Sequence, residues 1–335
     1  MDGVDYLIMR YYKEEHMKNQ ISFIEIENFK TFDKLRIDSF KRVNLISGKN
    51  NLGKTALIEA LNLNLSSIDF NNLAKTIKDV LKRRGDDIEL DFFKQGNSNL
   101  FIKTDIRDIN LEYLHKISEI QINLTINKET QGIDASRLFR FPLSFNQSYI
   151  ENIKFITTGS TDINYLAELY GVLVTKGKDD FLDESIKIFD KNIVSVKLSL
   201  EKNKPKLKIE MKNTPNRISL SSLGDGINRF MAIICAIWAS QDGFLFIDEV
   251  ENGIHYTNYS KLWKIIFEIS KEANCQVFAT THSKECIEAF NKQNKENEAT
   301  FIELYKNKKD EIVAKTRDYE QLEYSLTHGG SFRGE

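Results

Sequence analysis

Residues Gly48, Lys49, Asn50, Asn51, Leu52, Gly53, Lys54 and Thr55 spell an unbroken G-x-x-x-x-G-K-[ST] phosphate loop. No other stretch limits the possible folds of this chain so strongly. Glycines let a backbone wrap close to phosphate oxygens, several N–H groups then point inward, and the next helix adds its positive end. The motif predicts strand, loop, helix in that order, and it predicts a nucleoside triphosphate with Mg²⁺ as ligand. Gly48, Asn50, Asn51 and Gly53 shape the cradle. Lys54 is placed for the β/γ-phosphates and Thr55 for the metal.

The neighbouring residues agree. Val43, Leu45 and Ile46 read as a short buried strand entering the loop, and Leu57, Ile58, Leu61 and Leu65 recur at helical spacing after it. Far along the chain, Phe244 to Ile247 are four consecutive apolar residues followed by Asp248 and Glu249. A continuous apolar run suits a parallel strand buried on both faces. Asp248 at its end then falls on the sheet edge where α/β folds bind ligands. Asp248 is the candidate Mg²⁺ ligand, and Glu249 the candidate that orients or deprotonates the attacking water. Ser222, Gly224 and Asp225 precede a long apolar helix expected over 226–240. Ser221 and Ser222 are suited to cap that helix, while a Ser-x-Gly turn at a helix start equally suits a γ-phosphate. Thr280, Thr281, His282 and Ser283 close the next strand. Ser283 or Thr281 can cap the helix that follows, and His282 falls one βα unit beyond Asp248, within reach of a γ-phosphate.

Composition narrows the classes. The 335 residues suit one large α/β domain with an inserted lobe, or two modest domains. With 47 basic and 49 acidic residues the formal charge is −2, so any nucleic-acid contact has to come from a local patch or a partner. Cys235, Cys275 and Cys286 show no paired spacing, which argues for a reducing, cytoplasmic setting. The longest apolar run, 230–239, is too short to span a bilayer. Residues 1–20 read as an N-terminal extension without targeting character. From residue 21 the pattern gives an alternating strand over 21–29 and another near 35–37. A helix follows over 73–84, then strand-like pieces at 88–93 and 100–103. A charged helix-like stretch precedes Glu119, residues 119–126 alternate, and 127–150 read as loop. Helical spacing returns over 162–190, then a hairpin at 194–200 and 206–211. Beyond the apolar strand come a helix at 257–273, a strand at 276–280, a helix at 283–291 and strands near 300–305 and 311–315. The basic runs at 82–84 and 306–309 read as solvated surface.

Phosphate loop, Ser222-Leu223-Gly224-Asp225 signature, Asp248-Glu249 strand end and His282 switch, in that order, resemble the ATP-binding-cassette ATPases of the SMC/RecF type. Residues 247–255 and 277–283 are similar to the OLD-like (overcoming lysogenization defect) phage-defence ATPases, as are Asn28-Phe29-Lys30 and the closing 319–328 stretch. The resemblance implies an α/β ABC-ATPase head. Such a head has an antiparallel β subdomain, a mainly parallel core sheet around the phosphate loop and an inserted helical/mixed lobe. On this chain that is one domain over 21–330, with the lobe at about 66–210 and the signature lobe at about 217–290. It implies ATP hydrolysis with Glu249 and His282 catalytic, and a head-to-head dimer in which Ser222, Gly224 and Asp225 reach the partner's nucleotide. Ser-Leu-Gly-Asp departs from the family's Ser-Gly-Gly-Gln, which implies slow or partner-dependent turnover. The family's Mg²⁺-sensing glutamine has candidates in Gln95 and Gln147. OLD nucleases carry a TOPRIM domain, and too little chain follows residue 290 to hold one. The expected partner is thus a separate effector, a TOPRIM-type nuclease or a toxin. A RecF-like DNA clamp is the alternative, and a transporter subunit a third reading. No membrane contact is expected.

Overall fold

A computed structural model describes residues 20–82, 93–115, 120–134, 152–159, 161–201 and 204–328. The phosphate-loop strand β3 (Val43–Gly48) lies inside a six-stranded sheet of order β15-β14-β3-β13-β12-β8. Its other members are β8 (Ile153–Ile156), β12 (Phe244–Ile247), β13 (Gln276–Thr280), β14 (Ala299–Lys306) and β15 (Ile312–Arg317). All pairings are parallel except the β14–β15 edge. Every residue of β3, β12 and β13 is buried, as strands covered on both faces should be, the polar Asn44, Ser47, Gln276 and Thr280 included.

A second, antiparallel sheet runs β2-β1-β4-β5-β6-β7, built from β1 (Phe23–Phe29), β2 (Phe32–Asp38), β4 (Asn99–Thr104), β5 (Asp108–His115), β6 (Ile120–Ile126) and β7 (Glu129–Asp134). In β1 alternate residues point inward, so Ile24 and Ile26 are fully buried while Glu25 and Glu27 stay partly exposed. Helix α1 (Lys54–Ser66) packs against both sheets. The sequence offered one apolar stripe, yet α1 is buried nearly all round, including Glu59, Asn62 and Asn64. Those polar groups find partners: Lys30 Nζ lies 2.5 Å from Glu59 Oε2, and Asn64 Nδ2 donates to the Ile102 and Arg107 carbonyls. Helix α2 (Phe70–Lys82) covers the end of α1.

The opposite face of the parallel sheet carries α3 (Ile163–Thr175), α4 (Asp179–Ile186), α5 (Asp225–Ala239), α6 (Tyr259–Glu272), α7 (Lys284–Gln293) and α8 (Tyr319–Thr327). A small sheet of β9 (Ile193–Glu201), β10 (Lys204–Met211) and β11 (Ile218–Ser219) packs against these helices. Two apolar cores result, one on each face of the parallel sheet: Leu45 points into one, Ile46 into the other.

Two expectations change, and one strand appears that the sequence did not announce. The charged stretch before Glu119 is a strand, β5, because Ile109 and Leu111 alternate into the antiparallel core. Part of the expected 127–150 loop is β7, an exposed edge strand paired with β6. Strand β8, four residues with no sequence expectation attached, closes the parallel sheet beside β12. The strand-like piece at 88–93 is described only at Phe93, which bridges Phe29. Gln147 lies outside the described residues, and Gln95 sits in an exposed turn.

Candidate functional site

Strands β3, β13 and β12 are neighbours and run in the same direction, so their C-terminal ends deliver three loops to one sheet edge. The phosphate loop leaves β3. Its turn needs glycine at two places. A Cβ on Gly48 would meet the Leu304 carbonyl oxygen at 2.5 Å, and one on Gly53, where φ is +82°, would meet Thr31 Oγ1 at 2.5 Å. Asn50 and Asn51 lie exposed at the loop crest, Asn51 in the left-handed region at φ 62°. No side chain caps α1 at Gly53, which leaves the first N–H groups of the helix without a side-chain acceptor.

Lys54 is 5% exposed. Its Nζ donates to the Gly48 carbonyl at 2.7 Å and the Lys49 carbonyl at 2.8 Å, so the ammonium lies folded over the loop. Burial pulls its pKa down to about 8, against the opposing pull of Asp248, Glu249 and Glu251. A cation held out of water beside backbone carbonyls is prepared to exchange them for phosphate oxygens.

Asp248, 6% exposed, stands at the end of β12 between two hydroxyls. Thr55 Oγ1 lies 3.2 and 3.1 Å from its carboxylate oxygens, and Thr280 Oγ1 donates to Oδ1 at 2.7 Å. The same Thr280 hydroxyl accepts the Glu249 N–H at 2.8 Å. That bond helps hold Glu249 in the left-handed region, φ 51°, a conformation that costs a non-glycine residue about 1 kcal/mol and recurs at functional sites. The Glu249 carboxylate reaches the next loop, where His282 Nε2 lies 3.5 Å from Oε1. Burial raises the Glu249 pKa, and His282 is the strongest influence opposing that rise. Ser283 caps α7 by accepting the Cys286 N–H at 3.1 Å, so this turn is both a helix cap and the seat of His282.

The signature turn sits apart. Among the described residues no hydrogen bond or ion pair joins Ser222, Gly224 or Asp225 to the phosphate loop, and all three residues are exposed. Gly224, φ +87°, and not Ser222 holds the N-cap position of α5, because residues 220–223 form a 3-10 turn before it. Thus Lys54, Thr55, Asp248, Glu249 and His282 come together, and the signature does not join them within one chain.

Two residues of this edge have contacts to which the sequence reading assigned no role. Arg229, 3% exposed, lies one turn into α5. Its guanidinium donates to the carbonyls of Thr157, of Asp248 at 2.5 Å and of Glu249 at 3.1 Å. Burial lowers its pKa to about 10, and Asp248, Glu251 and Glu249 oppose that fall. The signal was a single arginine inside an apolar helix, an expensive place for a charge without partners. Thr280 is the other, a hydroxyl at the end of a buried strand.

Comparison with known proteins agrees with this geometry. Residues 163–287 match the AAA ATPase domain, a span that holds the signature, Asp248, Glu249 and His282. An ATP/GTP phosphatase of Helicobacter pylori is 24% identical over 367 residues, covering 91% of this chain and 97% of that protein. A crystal structure of an SMC head bound to the C-winged helix domain of ScpA superposes with a TM-score of 0.57 at 13% identity, covering 90% of this chain and 98% of that one. An SMC head with an extended coiled coil, bound to the C-terminal domain of ScpA derived from Pyrococcus furiosus, gives 0.52 at 12% identity, covering 92% and 98%. The chain has the fold of the SMC heads, and its residues 163–287 are similar to the AAA ATPase domain. Among the described residues of this head, no helix is long and apolar enough to cross a membrane.

Proposed function

We propose that this chain is an ATPase that closes head-to-head around ATP and thereby gates a separate effector, a nuclease or toxin, in antiviral defence. The observation that carries the reading is a division of labour. One sheet edge gathers Lys54, Thr55, Asp248, Glu249 and His282, whereas among the described residues no hydrogen bond or ion pair joins the exposed Ser222, Gly224 or Asp225 of the signature turn to it. A second copy supplies that turn in trans, so ATP lies between two subunits.

Each residue then has a task. Lys54 exchanges the Gly48 and Lys49 carbonyls for β/γ-phosphate oxygens. The N–H groups of the loop and of α1 hold the triphosphate. Thr55 and Asp248 are hard oxygen donors side by side, a set that fits Mg²⁺, and the ion would neutralise charge building on the phosphates. Glu249, its pKa raised by burial, orients the attacking water and accepts its proton. His282 lies close enough to fix the Glu249 carboxylate and to face the γ-phosphate. Ser222 and the Gly224 backbone of the partner contact that phosphate, so hydrolysis removes the contact and loosens the dimer.

The test is the Glu249→Gln protein, expressed with an affinity tag in its native host. With saturating ATP and Mg²⁺ it should run at twice the monomer mass and retain an effector protein. A chain that stays monomeric would sink the sandwich. Co-purification of chromosomal DNA in place of a nuclease or toxin would move the reading to a RecF-like DNA clamp.

A further inference from the structure

The loop after β12 folds back on itself through the Asn252 N–H to the Glu249 carbonyl and the Ile254 N–H to the Glu251 carbonyl, both 3.0 Å. It is pinned on three sides. Val250 and Ile254 are buried in the apolar core. The Val250 N–H donates to the Thr280 carbonyl at 2.9 Å, and Asn252 Nδ2 donates to the Thr158 carbonyl. The Gly253 carbonyl lies against Gly226, where an added Cβ would sit 2.5 Å from its oxygen.

Glu251 projects from this pinned loop toward the 281–283 turn, and its Oε1 accepts the backbone N–H of His282 at 2.7 Å. The other oxygen, Oε2, is buried and has no hydrogen-bond donor among the described residues. A half-satisfied buried carboxylate weakens a fold. Residues that cost stability in this way concentrate where function needs them. Here the bond falls on the one residue whose ring faces Glu249.

We propose that Glu251 is a positioning residue: its carboxylate clamps the His282 backbone to the loop after β12 and so sets the imidazole beside Glu249. The carboxylate touches no reacting atom in this role. A charged acceptor makes a short, strong bond to an N–H, which fixes the plane of the 281–282 peptide. With that peptide fixed and Ser283 capping α7, the direction in which the His282 side chain leaves the backbone is set. The loop that carries the clamp also touches Gly226, at the start of α5.

This inference rests on the ATPase reading for its kinetic arm but not for its structural one. In the full chain, Glu251→Ala removes the acceptor, whereas Glu251→Gln keeps an oxygen at the same reach and deletes only the charge. Expected for Glu251→Ala is a fall in kcat of about ten- to a hundred-fold with an ATP KM within about twofold of the parent, because orientation and not binding is lost. Glu251→Gln should recover most of that kcat. By amide exchange the His282 N–H should be protected in the parent and in Glu251→Gln, and exposed in Glu251→Ala. Equal exchange in all three proteins, or a Gln variant as slow as the Ala variant, overturns the clamp. If the parent turns over no ATP, the ATPase reading fails, and the exchange experiment still decides whether Glu251 holds His282.

Discussion

At the scale of single residues, Arg229 shows how a buried charge is made tolerable. Its guanidinium has five donors in a fixed fork, and three carbonyls from two different loops converge on it. Two of them belong to Asp248 and Glu249, so Arg229 ties the start of α5 to the residues proposed to hold Mg²⁺ and the attacking water. Replacing it by alanine takes this donor from the Thr157 and Asp248 carbonyls and leaves the Glu249 carbonyl only the Asn252 N–H among the described residues. We expect Arg229→Ala to lower unfolding free energy by about 2–3 kcal/mol in urea titrations and to cut ATP turnover. Arg229→Lys should recover little, because an ammonium lacks the planar fork. An alanine variant with parental urea midpoint and turnover would show that the contacts carry no weight. None of this was legible in the sequence beyond one arginine in an apolar run, since its acceptors come from positions 157, 248 and 249.

At the scale of elements, legibility followed the strength of the periodic signal. Strands β3, β12 and β13 and helices α5, α6 and α7 carry long apolar runs or clear helical spacing, and they lie where those patterns said. Strand β5 read as helix because its charges hid the alternation of Ile109 and Leu111. Strand β7 read as loop because its first four residues face solvent, and an edge strand needs no apolar face. Strand β8 is four residues long, too short for any pattern. The junction of α4 with β9 gives a prediction at this scale. Asp183, 9% exposed, accepts the Val196 N–H at 2.8 Å. Burial raises its pKa above the ordinary 3.8, and the Val196 bond, Lys197, Asp179 and Asp180 act in lesser degree, the first two lowering it. A carboxyl whose folded pKa is raised favours the fold below its unfolded pKa and loses that contribution as pH rises through the folded value. Asp183→Asn keeps an acceptor for Val196 and removes the charge. It should melt about 2 °C above the parent at pH 7, the difference shrinking toward zero as pH falls to 3.8. A lower melting temperature at pH 7 would reverse the assignment of burial as the main cause.

At the scale of the whole molecule, two variants separate binding from assembly. Lys54→Ala removes the phosphate-facing cation and should abolish ATP binding and, with it, dimerisation. Ser222→Arg places bulk at the exposed signature turn, so it should leave monomeric ATP affinity intact and still prevent the dimer. Calorimetry for binding and light scattering for mass check both, and a Ser222→Arg dimer with ATP would contradict assembly through the signature. By itself the sequence determined the strand–loop–helix order around the phosphate loop, because such a cradle depends on a few local residues whose geometry glycine and a helix start impose. It also determined that Asp248 and His282 close successive strands, since continuous apolar runs announce buried parallel strands. Only the tertiary structure decided that β3, β13 and β12 stand side by side, that Thr280 bridges Asp248 and Glu249, and that Arg229 and Glu251 brace the loops around them. These are contacts between positions tens to hundreds of residues apart, selected by which buried polar groups can satisfy one another once the two cores have closed.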